Sequence, residues 1–150
     1  MATVALDLLG GDGAPDVVAD AIARLVTSPQ SGGDETGESV DLIVVGPADD
    51  ARTLLTARGV PLSCVRIVDA GRGASMADHP LAALRAHDDV TVSVAVSLVR
   101  DHEADAWVSV GHTGAAVAAA VLGLGRVAGM TRPALAVVLP SLSGPVVLLD

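Results

Sequence analysis

The chain has 150 residues, 51% of them hydrophobic, with a single Trp, no Phe, no Tyr and a formal net charge of −9 in which Arg supplies every basic residue other than His. That is about one domain with ample apolar content for a core of Val, Leu, Ala and Ile. The lack of aromatics argues against modules that stack bases, the acidic balance against direct binding of nucleic acid, and the single Cys64 against an internal disulfide.

The N-terminal MATVALDLLGGD has no basic region before its apolar run and so does not read as a signal peptide. Thr3 to Leu9 is the first predicted strand, apolar except for Thr3 and Asp7, as suits a parallel strand covered on both faces. It runs into the glycine-rich loop Gly10-Gly11-Asp12-Gly13-Ala14-Pro15. A helix is expected over Asp16 to Val26, with Val18, Ile22 and Leu25 inward and Asp16 at its positive end. Only Gly11 and Gly13 have the spacing of a dinucleotide fingerprint, and no G-K-[ST] follows to make a Walker loop. Ser28 to Ser39 is polar and Gly/Ser-rich, a surface loop by composition.

Val40 to Val45 is the next strand, Ala48 to Arg58 a helix with Leu54 and Leu55 inward, and Val65 to Ala70 a third strand. The rhythm β-α-β-α-β predicts a parallel sheet with helices on both faces. Gly71 to Pro80 is a long loop, in which His79 beside Asp78 is a candidate for proton transfer. Helices are expected over Leu81 to His87 and Val92 to Asp101, the second with Val96 and Val99 inward.

Asp105 to Gly125 reads DAWVSVGHTGAAVAAAVLGLG. Ala106 to Val110 suits a buried strand, Gly111-His112-Thr113-Gly114 a tight turn, and the Ala, Val and Leu that follow a helix that Thr113 would cap. Such a turn points backbone N–H groups at an anion, so it is either a phosphate or oxyanion cradle or a plain βα connection. The uncharged run through Trp107 to Gly125 has the length of a membrane span, but the Gly-His-Thr-Gly turn breaks it and Ala outnumbers Leu. Strands are expected over Ala134 to Leu139 and from Val146 to Leu149, the latter as a buried parallel strand. Because the chain stops at Asp150 directly after that run, the sequence reads as a single α/β domain over 1–150 or as the N-terminal part of a longer α/β enzyme.

Five stretches in order resemble PlsX, the phosphate acyltransferase family of bacterial phospholipid synthesis. They are Leu6-Asp7-x-x-Gly10-Gly11-Asp12-x-x-Pro15; Leu42 to Gly46; Met76-x-Asp78-His79-Pro80-x-x-Ala83-Leu84-Arg85; Ala104-Asp105-Ala106-x-Val108-Ser109-x-Gly111-x-Thr113-Gly114-Ala115; and Arg132-Pro133-Ala134 with Leu139-Pro140 and Gly144-Pro145-x-Val147-Leu148-Leu149-Asp150. The resemblance implies a doubly wound, mostly parallel α/β/α sheet like that of phosphate acetyltransferases and isocitrate dehydrogenase. It implies transfer of a fatty acyl group from acyl carrier protein to inorganic phosphate, giving acyl phosphate. It further implies a cytoplasmic or loosely membrane-associated homodimer, with no cofactor, no metal and no nucleic acid.

Carried onto this sequence, the catalytic candidates are His112 and Thr113. The candidates for binding phosphate or the acyl substrate are Gly10, Gly11, Asp12, Asp78, His79, Arg85, Ser109, Gly111 and Gly114. His112, if protonated, would pair with phosphate or protonate the leaving thiolate, while backbone N–H groups around Gly111 to Gly114 would hold phosphate or the oxyanion. Asp7 and Asp12 have the wrong charge to hold phosphate and are expected to cap or to orient a donor. Two departures stand out: His112 occupies the position where the family usually has Asn in S-A-G-N-T-G-A, and His87 to Ser93 carries acids and Val in place of basic residues and Ser-Ser-Met-Arg. The alternatives are a related enzyme using acyl-CoA and a non-catalytic relative that binds an acyl carrier or another partner.

Overall fold

The computed structural model describes residues 1–27, 40–74, 84–142 and 144–149. Strand β1 (Ala2–Asp7) leads through α1 (Asp16–Thr27) to β2 (Val40–Gly46), and α2 (Ala48–Ala57) leads to β3 (Val65–Asp69). Helix α3 (Thr91–Arg100), β4 (Ala106–Val108) and α4 (Thr113–Gly123) follow, then the short strands β5 (Ala136–Leu139) and β6 (Val146–Leu149).

The first four strands form one sheet in the order β3-β2-β1-β4. All its pairings are parallel, with β1 matched to β2 from Ala2↔Val40 to Asp7↔Val45 and to β4 from Val4↔Ala106 to Leu6↔Val108. Val, Leu and Ile line both sides, as a sheet covered on both faces requires. Leu42 and Val44 pack with Val18, Ala19 and Ile22 of α1 and Leu55 of α2 on one face. Ala5, Ile43 and Val45 pack with Ala95 and Leu98 of α3 on the other. The predicted α/β architecture with helices on both faces is therefore present. Val92 and Val96 of α3 continue this second layer onto Ala118 and Ala119 of α4. The two helices approach so closely at Gly123 that a Cβ there would lie 2.5 Å from Val96 Cγ1.

Polar ties reinforce the layers. Thr3 N–H donates to Asp105 Oδ2 at 2.7 Å, and Ala48 N–H at the start of α2 donates to Asp69 Oδ1 at 2.8 Å. Arg58 bridges α2 to α1 by pairing with Asp20 and, at 2.7 Å, with Asp16. These partners, Asp20 foremost, raise the pKa of its guanidinium.

Three expectations are corrected. Leu25 faces outward, 50% exposed, because the face that α1 buries is centred on Val18, Ala19 and Ile22 with Ala23 and Val26, which leaves Leu25 at its margin. β5 and β6 pair antiparallel, Ala136↔Leu149 to Leu139↔Val146, rather than adding to the parallel sheet. Residues 140–145 are too few for a parallel crossover, which takes roughly a dozen residues or more. The hairpin is exposed along both strands instead of buried. Of the helix expected over Leu81 to His87, residues 84–86 are helical and 81–83 lie outside the described residues. No helix of the described residues is long and apolar enough to cross a membrane.

Ile22 is 1% exposed and Leu25 50%. Ile22→Ala should therefore lower unfolding free energy by about 2–5 kcal/mol and Leu25→Ala by no more than about 0.5 kcal/mol, as read by urea unfolding of each variant.

Candidate active site

The sheet order reverses between β1 and β4. The loops that leave the carboxyl ends of these two strands run to helices on opposite faces, and ligands of open α/β sheets bind in the crevice so opened. The Leu6↔Val108 register brings the next residues, Asp7 and Ser109, side by side at that edge. Asp7 is 2% exposed. A buried carboxylate needs donors. Ser109 Oγ–H supplies one to Oδ2 at 2.7 Å and Leu9 N–H another to Oδ1 at 3.1 Å. Ser109 Oγ in turn accepts Gly111 N–H at 3.2 Å. One carboxylate thus ties the loop after β1 to the loop after β4.

Glycine makes the contact between the loops possible. A Cβ on Gly10 would lie 2.7 Å from Ser109 Oγ and 2.8 Å from Asp7 Oδ2. One on Gly111 would lie 3.1 Å from Gly10 Cα, and one on Gly11 2.8 Å from the Val110 carbonyl oxygen. Gly11 also has φ +97°, which a side chain rarely adopts.

His112, and not Thr113, caps α4: Gly114 N–H donates to His112 Nδ1 at 2.9 Å. The imidazole reaches two residues ahead, whereas Thr113 already sits inside the first turn and is exposed. The amides of Gly111 and Gly114 are thereby engaged within the protein. Among the described residues, the N–H groups of Gly11, Asp12, Gly13, His112 and Thr113 have no hydrogen-bond partner. Within the turn expected over Gly111 to Gly114, the free donors are therefore the two middle amides, those of His112 and Thr113.

Two cavities lie here. A pocket of ≈ 10 Å³ is bounded by Asp7, Gly10, Ser109, Gly111 and His112, with Ala74, Val92 and Ala115. It has about the room one water needs. Beside it an open cleft of ≈ 330 Å³ is lined by Leu9, Gly11, Asp12, Val110, Gly111 and His112, with Ala74. A groove of ≈ 400 Å³ between α3 and α4, lined by Ser93, Ser97, Arg100, Leu122 and others, shares no residue with the glycine loops.

The structure thus brings together Gly10, Gly11, Asp12, Ser109, Gly111 and His112, with Thr113 and Gly114 on the first turn of α4. Arg85 is exposed and lines neither cavity. Asp78 and His79 lie outside the described residues. The sequence reading left out of the site the pairing of Asp7 with Ser109; its signal was an acid in an otherwise apolar strand. It also left out Arg72, whose Nε lies 3.4 Å from Asp89 Oδ1 and whose Nη1 lies 3.3 Å from His87 Nε2. Arg72 so offsets part of the acidity of the His87 to Ser93 run. Among the described residues, no group of His, Cys, Asp and Glu is placed to hold a metal ion.

Residues 2–150 match the fatty acid synthesis protein family. The chain belongs to this family. The chain is similar to the phosphate acyltransferase of Desulfitobacterium hafniense strain Y51, 39% identical over 150 residues that make up 100% of this chain and 42% of the relative. The phosphate acyltransferase of Heliobacterium modesticaldum is 40% identical over 98% of this chain and 42% of its own length. That of Gloeothece citriformis is 36% identical over 94% and 37% respectively. The chain spans about two fifths of the length of these curated relatives. Within that span it contains both glycine loops and the Asp7–Ser109 pair that joins them.

Ser109→Ala would leave Asp7 Oδ2 buried without its donor. It should cost about 1–3 kcal/mol in urea unfolding. Gly11→Ala should also destabilise, by roughly 1–3 kcal/mol, through its positive φ.

Proposed function

We propose that this chain carries the phosphate-binding half of an acyl-transfer site, and that the protein moves a fatty acyl group from acyl carrier protein to inorganic phosphate to give acyl phosphate. The observation that carries the reading is the set of N–H groups of Gly11, Asp12, Gly13, His112 and Thr113 that have no partner among the described residues, presented by two loops at the sheet's switch point in a member of the fatty acid synthesis protein family. The phosphate acyltransferases to which the chain is similar support the same chemistry.

The reaction needs little base catalysis, because the phosphate dianion is already a nucleophile. An oxygen of phosphate attacks the thioester carbonyl, the carbonyl oxygen becomes an oxyanion, and collapse expels the thiolate. Rate then comes from positioning and from donors placed where negative charge collects. The free amides suit both tasks, and the positive end of α4 lies at the same place. Leu9, Ala74 and Val110 give the open cleft an apolar side for the thioester arm. Asp7, each oxygen of which accepts one hydrogen bond from Ser109 or Leu9, positions the loops and does not face phosphate as a free charge. The homodimer and peripheral membrane association that the resemblance implies belong to this reading.

The test is an assay with palmitoyl acyl carrier protein and phosphate, the product trapped with hydroxylamine. Run on this chain and on a chain of the relatives' full length, it should give phosphate-dependent hydroxamate in at least one. In that active form Gly111→Val, whose side chain would meet Gly10 and Gly11 and push apart the two loops that present the free amides, should reduce the rate about 100-fold or more, the scale of losing an oxyanion donor. A folded full-length protein without product would refute the proposal, and product formed only from palmitoyl-CoA would reassign the donor.

A further inference from the structure

We propose that His112 serves this site as an uncharged hydrogen-bond donor, held in the tautomer that carries its proton on Nε2. The inference rests on the acyl-transfer reading and assigns its histidine a role other than that of a cation or an acid. Gly114 N–H donates to His112 Nδ1 at 2.9 Å. An amide N–H can only donate, so Nδ1 presents a lone pair and the proton of the neutral ring is on Nε2. A proton on Nδ1 would leave that nitrogen no lone pair to cap α4.

Nε2–H has no acceptor among the described residues. Of the two carboxylates that share its cavities, Asp7 is occupied by Ser109 and Leu9, and Asp12 makes no bond to the ring. A half-buried ring at the edge of the cleft thus keeps one donor in hand, beside the free amides of residues 112 and 113. An Asn at this position would combine the same two functions: its carbonyl oxygen can cap and its NH₂ can donate.

The experiment is ¹⁵N NMR of the imidazole nitrogens of the whole chain, with His112→Asn identifying the His112 signals, followed by titration with inorganic phosphate. The expected result at neutral pH is a pyridine-like Nδ1 and a pyrrole-like, protonated Nε2. Phosphate should then shift Nε2–H together with the amides of His112 and Thr113. A protonated Nδ1, or a doubly protonated ring, overturns the proposal. Amides that respond while Nε2–H does not overturn the donor role and leave the anion cradle standing. No response from either refutes both the donor and the cradle. Unfolding adds an independent readout: His112→Ala should lower the midpoint and His112→Asn restore it, whereas equal loss in both variants would contradict the shared cap.

Discussion

Asp7 is 2% exposed and ends the central strand of the sheet. A carboxylate in that place must be given hydrogen bonds by its neighbours, and the ones it receives come from Ser109 and Leu9. Ser109 belongs to a segment 102 residues further along the chain. The bond between them therefore closes the switch point of the fold, and the path of both glycine loops follows from it. Ser109 passes the constraint on by accepting Gly111 N–H, and Gly111 is in contact with Gly10. The loops are held by a short relay of hydrogen bonds, with glycines at the points where a methyl group would force them apart.

This packing decides which amides are free. In an isolated turn, the N–H groups of Gly111 and Gly114 would be natural anion donors. Here Ser109 Oγ and His112 Nδ1 take them, and among the described residues the amides of residues 112 and 113 are left over, together with those of Gly11, Asp12 and Gly13 from the other loop. For the acyl transfer proposed above, such preorganised dipoles would need no reorientation during the reaction. Of the acids near this site, Asp7 accepts from Ser109 and Leu9, Asp89 is paired with Arg72, and Asp12 lines the open cleft.

Much of the fold was legible because its elements obey simple periods. Leu42, Ile43, Val44 and Val45 form an uninterrupted apolar run, which marks a strand covered on both faces, and the structure divides that run between two core clusters. Val96 was placed inward from helical spacing and is 1% exposed. Leu25 was misjudged because its spacing from Val18 is compatible with the buried face, and only the position of α1 against the sheet shows where that face ends. The hairpin of β5 and β6 was misjudged for a related reason. An apolar run identifies a strand but not its neighbour, and loop length over residues 140–145 leaves only antiparallel pairing.

The glycine loops, the strand–turn–helix unit that begins at β4 and the α/β class were determined by the sequence alone, since they depend on local composition and on residues close together in the chain. The family likeness was also present there, in five motifs in order. Tertiary structure decided what those loops do to each other. It placed Asp7 against Ser109, assigned the cap of α4 to His112 instead of Thr113, brought Arg72 to Asp89, and left Arg85 away from both cavities. The physical reason is that hydrogen-bond partners are selected by direction and distance in the folded sheet. Residues far apart in the sequence meet at its carboxyl edge because parallel strands put all their outgoing loops on the same side.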